Sequence, residues 1–170
     1  MKNVIPGDGE DTYVLTPAAG GGIEAFSCAL ARRLAELDRL PMPQVVVLSG
    51  FENDSPYVQC LIPHAPGVWM EAVSNRFLAG TAWELTPDQE RVLVELGWHP
   101  PEPERGGDDP EPPYEVVNWW QAWERPVDTS ELASRLVVTL VLAYGLSDRE
   151  PWVLRTFAGT CDGDWDRPAS

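Results

Sequence analysis

Apolar residues recur early in the chain at steps of three and four: Ile23, Phe26, Leu30, Leu34 and Leu37. That spacing puts them on one face of a helix, bounded by Gly20-Gly21-Gly22 before it and Pro41 after it. The glycine run lacks the preceding strand and the following Lys-Ser/Thr of a phosphate loop, so it reads as a flexible helix entry. The period then shortens to two. Pro43–Gly50 (PQVVVLSG), Tyr57–His64 (YVQCLIPH) and Gly67–Ser74 (GVWMEAVS) each predict a strand. In the third, Val68, Met70 and Ala72 fall on one side and Trp69, Glu71 and Val73 on the other. The connectors FENDSP and HAPG are of hairpin type, which predicts an antiparallel meander. Arg76–Leu85 offers a further short strand.

Leu85–Trp98 (LTPDQERVLVELGW) carries both ends of a helix. Thr86 suits the N-cap, Pro87 the first helical position, and Gln89 completes a capping box. Val92, Leu93 and Leu96 form its buried side. Gly97 stands where a left-handed residue ends a helix, and Trp98 where an apolar side chain folds back onto Leu93. From Pro100 to Pro113 six of fourteen residues are proline and five are acidic. Such a stretch cannot bury enough apolar area to offset its ordering entropy, so it reads as a disordered insert. Residues 1–20 read as a flexible N-terminal arm and 158–170 as a flexible acidic tail, leaving 21–157 as a single domain.

After the insert, Tyr114–Pro126 (YEVVNWWQAWERP) predicts a strand that turns at Asn118. Asp128 and Glu131 start the last main helix, which runs to Tyr144 and stops at Gly145. Leu132, Leu136, Leu140 and Ala143 form its main stripe, and Val137, Val138, Val141 and Leu142 widen it nearly all the way round. A helix so apolar needs cover on more than one side. That cover is a symmetry mate in a homodimer, a neighbouring helix such as Ile23–Leu37, or a bound client.

The 170 residues, 44% hydrophobic with eight tryptophans, suffice for a core without disulfides or a metal. The formal charge of −15 argues against nucleic acid and anionic membranes as partners. It leaves a solubility device or an attraction for basic protein segments. Cys28, Cys60 and Cys161 are odd in number and widely spaced, so they predict neither a zinc site nor a disulfide framework. Neither a signal peptide nor a membrane span is legible, which places the expected location in the cytoplasm.

Candidate chemistry is sparse. His64 and His99 lack a neighbouring Ser or Cys in a nucleophile setting. Asp162, Asp164 and Asp166 begin like a calcium loop, but the glycine and closing glutamate that such a loop needs are missing. Asn53-Asp54-Ser55 matches a glycosylation acceptor that means nothing in a cytoplasmic chain. No catalytic, cofactor-binding or metal-binding residue is predicted. Trp119, Trp120 and Trp123 cluster, and neighbouring tryptophans on a strand face opposite ways, so one can be core while the other is exposed or lines a cleft. These three, with Trp69, Val138 and Val141, are the candidate partner-binding residues.

The order of motifs carries a resemblance. SNRFL is followed by LTPDQERVLVELGW and prolines, then VNWW, then a capped helix and LAYGLSDREPWVL. In numbers these are Leu96-Gly97-Trp98, Asn118-Trp119-Trp120, Tyr144-Gly145 and Pro151–Leu154. Over roughly residues 22–157 the pattern resembles the actinobacterial TY-Chap domains, type III secretion chaperone-like and YbjN-like peptide-binding chaperones. The resemblance implies an α+β fold, an antiparallel sheet with helices packed on one face. It also implies a non-enzymatic role without cofactors, holding a peptide or protein client, often as a dimer. The charge supports a second class of function, an acidic decoy that binds a basic partner or imitates nucleic acid.

Overall fold

The computed structural model of the protein describes residues 4–7, 10–52, 54–62, 67–102 and 116–158. The expectations for Asn53, His64, Cys161, the 162–166 acidic run and most of the proline-rich insert and the tail lie outside them. The elements are β1 (Val4–Gly7), β2 (Glu10–Leu15), α1 (Gly22–Leu37), β3 (Gln44–Gly50), β4 (Tyr57–Ile62) and β5 (Gly67–Ala72). They continue with α2 (Asn75–Leu78), α3 (Pro87–Glu95), β6 (Trp119–Glu124), α4 (Thr129–Leu142) and β7 (Trp152–Ala158). All seven strands form one sheet in the order β1-β2-β7-β3-β4-β5-β6, each adjacent pair antiparallel. The predicted meander is β3-β4-β5, and β6 extends it.

The helices cover one face. Val46 and Leu48 of β3, Val58, Cys60 and Ile62 of β4, and Val68, Met70 and Ala72 of β5 alternate with half-buried neighbours and are themselves buried. Above them α1 and α4 pack against each other. Phe26 meets Trp152 edge-on, with ring centroids 5.4 Å apart. Helix α1 therefore gives α4 its second wall, one of the three covers its apolar circumference required.

The capping expectations hold. Thr86 Oγ1 accepts from the Gln89 amide while Gln89 Oε1 accepts from the Thr86 amide, a reciprocal box. At the other end Gly97 has φ +83°, the Trp98 amide donates to the Leu93 carbonyl, and the Gly97 amide donates to Val94. That pair of bonds is a Schellman ending. Trp98 is fully buried, and its indole N–H donates to Thr139 Oγ1 on α4 at 2.9 Å. Asp128 caps α4 by accepting from the Ser130 and Glu131 amides.

Three expectations are corrected. Residues 1–20 are not simply an arm, because β1 and β2 lie within them and β2 pairs with β7 from Glu10–Phe157 to Leu15–Trp152. Thr12 and Val14 alternate with Tyr13 and Leu15 as a strand requires, but the surrounding Gly, Pro and acids masked that short pattern. Arg76–Leu85 holds no strand. Ser74 caps the single turn of α2, and the Asn75 side chain pairs with the Leu85 backbone at 2.7 and 2.8 Å as a strand would. Finally, the chain does bend at Asn118, but Val116 and Val117 before it are not in a strand, which begins only at Trp119. Asn118 is buried just before β6, its Oδ1 accepting from the Ser74 amide.

Candidate functional site

The strand residues that point away from α1 and α4 make a second sheet face, and among the described residues both long helices lie on the opposite side. Register fixes its layout. One row runs Phe157, Val45, Leu61, Trp69, Ala122, and the next runs Arg155, Val47, Gln59, Glu71, Trp120. Except for the exposed Ala122 and Arg155, these residues are half-buried. Side chains within a sheet shield one another, and among the described residues neither long helix lies on this mostly apolar face.

Its centre is aromatic. Trp69 and Trp120 stack with centroids 5.0 Å apart and planes 7° from parallel. The His99 ring lies 4.5 Å from Trp120, tilted by 32°. Glu71, directly across from Trp120, receives three hydrogen bonds among the described residues. Trp69 Nε1 donates to Oε1 at 3.0 Å, while Gln59 Nε2 and Asn118 Nδ2 donate to Oε2 at 2.9 and 3.0 Å. Asn118 Nδ2 also reaches the Tyr57 hydroxyl at 3.3 Å. Burial raises the Tyr57 phenol above its ordinary value; the Asn118 hydrogen bond opposes this and the Glu71 charge adds to it. The indole of Trp69 is thus held at both ends, by stacking and by its N–H.

The face ends at an open edge. Among the described residues β6 is the last strand, and its outer side is paired only at Trp120, which exchanges both backbone hydrogen bonds with His99 at 2.9 and 3.0 Å. In an antiparallel strand the N–H and C=O of every second residue point the same way. Ala122 and Glu124 therefore direct theirs outward. Both are exposed, and among the described residues no strand pairs with them there.

The structure sorts the sequence candidates. Trp69 and Trp120 meet on the open face. Trp119 is 5% exposed and belongs to the core. Trp123 also faces the helices, half-buried, with its Nε1 donating to Gln121 Oε1 at 3.0 Å and the Arg135 guanidinium 5.9 Å from its ring centroid. Val138 and Val141 are half-buried on α4, away from this face, with the exposed Leu142 beside them. Sequence reasoning missed Glu71, Gln59, Asn118 and His99. Alternation alone placed Glu71 beside Trp69, but only the register brings Gln59 and Trp120 to it.

Among the described residues no cluster of His, Cys, Asp and Glu is arranged to hold a metal ion, and no helix is long and apolar enough to cross a membrane. Neither a curated protein nor a solved structure matches the chain significantly. A family does. The Schellman tryptophan joining α3 to α4, the Asn118-Trp119-Trp120 element and the helix-covered sheet lie within residues 24–156, which match the TY-Chap3 family, described as T3SS (YopN, CesT) and YbjN peptide-binding chaperone 3, and the chain belongs to it.

Proposed function

We propose that the protein is a non-enzymatic chaperone-like module that holds an extended segment of a client protein against the open sheet face and the outer edge of β6. The observation that carries this reading is the stacked Trp69–Trp120 pair beside an edge whose Ala122 and Glu124 backbone groups face outward. A client strand can pair with that edge while its side chains on one side rest on the indoles, so the backbone supplies affinity and the face supplies selectivity. Peptide binding as the family's role supports the same reading.

The test uses a labelled synthetic peptide of about ten residues alternating valine and threonine, a composition that favours extended backbone. Trp120→Ser is expected to weaken its binding by at least about tenfold, the scale of a tryptophan anchor. Ala122→Pro removes an outward N–H and leaves the β5–β6 ladder intact, since proline is tolerated where a strand's N–H faces solvent. It is expected to weaken binding as well. Folded variants that both bind like the natural chain would overturn the proposal. Salt separates the acidic-decoy alternative, because a purely charge-driven complex dissolves at high ionic strength and an apolar one persists. Self-association through Val138, Val141 and Leu142 is a second proposal, supported by the 58% exposure of Leu142. Sedimentation equilibrium tests it: a dimer that Val138→Glu converts to a folded monomer supports it, and a natural chain monomeric at all concentrations ends it. A cytoplasmic location is part of the proposal.

A further inference from the structure

We infer that the open face selects client segments carrying a basic side chain, arginine or lysine, seated on Glu71 and the adjoining indoles. This rests on the peptide-holding reading above and specifies the chemistry of the occupant. Four observations converge on it. Glu71 stands within the face, half-buried, rather than at its rim, so its charge is less screened than that of a surface carboxylate. Its three hydrogen-bond donors, from Gln59, Trp69 and Asn118, are all neutral, so they fix the carboxylate in place without cancelling its charge. A carboxylate offers about four acceptor positions, and the described residues take three, which leaves room for one further donor. Trp120 is its cross-strand partner and Trp69 stacks on Trp120, so a cation reaching Glu71 lies against indole surface, where cation–π attraction adds to charge pairing.

Arg155 shares the row, but Gln59 and Val47 separate it from Glu71, three strand spacings or about 14 Å. The net charge of −15 favours approach by basic segments. A neutral client would leave the Glu71 charge covered and unpaired, which penalises it, so the carboxylate discriminates by repelling the wrong partner as much as by attracting the right one.

The competing role for Glu71 is purely structural, an acceptor that holds Trp69, Gln59 and Asn118. The two are separated with the full chain and three labelled valine–threonine peptides that differ only in a central arginine, glutamine or glutamate. The natural chain is expected to prefer arginine over glutamine by about tenfold, and glutamate is expected to bind weakest. Glu71→Gln is expected to abolish that preference while keeping affinity for the glutamine peptide. Glu71→Asp, which keeps the charge, is expected to restore part of it. Glu24→Gln, an exposed change on α1, controls for the overall charge and is expected to leave the preference unchanged. Equal binding of all three peptides by the natural chain overturns the inference and leaves the peptide-holding reading intact, provided Trp120→Ser still weakens them. An arginine preference that survives in folded Glu71→Gln, or that falls equally in Glu24→Gln, also overturns it. Should Glu71→Gln not fold, the preference must persist in Glu71→Asp, and its absence there decides against the inference. Failure of every peptide to bind the natural chain overturns both readings together.

Discussion

The hydrogen bond from the Trp98 indole to Thr139 joins the end of α3 to the middle of α4, and its contribution can be isolated. Both residues are buried, and the Thr139 hydroxyl, while accepting from Trp98 at 2.9 Å, donates to the Arg135 carbonyl at 2.7 Å. Trp98→Phe keeps an aromatic ring but removes the donor and part of the volume. The lost hydrogen bond costs about 1 kcal/mol, and the space left by the smaller ring about 1–2 kcal/mol more. Thr139→Val leaves the indole N–H buried without an acceptor, which costs about 1–3 kcal/mol. In the double variant both polar ends are gone. The second substitution should therefore cost about 1 kcal/mol less than it does alone, a coupling readable in a double-mutant cycle. Urea unfolding followed by far-ultraviolet circular dichroism gives the four stabilities, compared at a common slope. A cycle additive within about 0.3 kcal/mol would show that this bond does not tie α3 to α4, and the structural role assigned to Trp98 would fall.

Other outcomes follow from packing and titration. A Cβ on Gly67 would collide with the Trp123 backbone carbonyl across the β5–β6 ladder, so Gly67→Ala should destabilise the fold by about 3 kcal/mol in the same urea assay. Burial pushes the Cys60 thiol from its ordinary 9.0 up to about 12. Above pH 9 the unfolded chain releases that proton and the folded chain keeps it, so the stabilisation is fully present below 9 and declines as pH rises towards 12. The slope is about 1.4 kcal/mol per pH unit, measured by thermal or urea melts across that window. Burial, with a smaller effect of Tyr57, also raises the Tyr144 phenol, which steepens the decline above its ordinary 10.0. In Cys161→Ser protein at pH 8, a thiol-alkylating reagent should modify the exposed Cys28 and spare the buried Cys60, read by mass spectrometry.

Local rules were well expressed in the sequence. The Thr86 box, the Gly97–Trp98 ending and the Asp128 cap each depend on residues within five positions of one another, and each stands in the structure as its spacing implied. The core face of β3, β4 and β5 was readable for the same reason, since a period of two needs only neighbours. Long-range pairing was not legible. Nothing near Glu10 indicates that β7, at the far end of the chain, lies beside β2, and without that partner the strand's local composition is that of an arm. Asn75 replaces strand pairing at Leu85 with a side chain, which composition cannot reveal. The candidate site depends on the same kind of information. Trp120 was visible as one of a cluster, but its separation from Trp119 and Trp123 and its meeting with Trp69, Glu71 and His99 require the register of β6.

Amide hydrogen exchange along β6 tests the account most directly, read residue by residue by nuclear magnetic resonance on the full chain with and without the arginine-containing valine–threonine peptide. The Trp119, Gln121 and Trp123 amides already face β5, whereas those of Ala122 and Glu124 face outward. A client strand added at this edge slows exchange at Ala122 and Glu124 and leaves the alternate residues nearly unchanged, a period of two that contact with the face alone cannot produce. Protection confined to α4 around Val138, Val141 and Leu142, with no change along β6, would contradict the account.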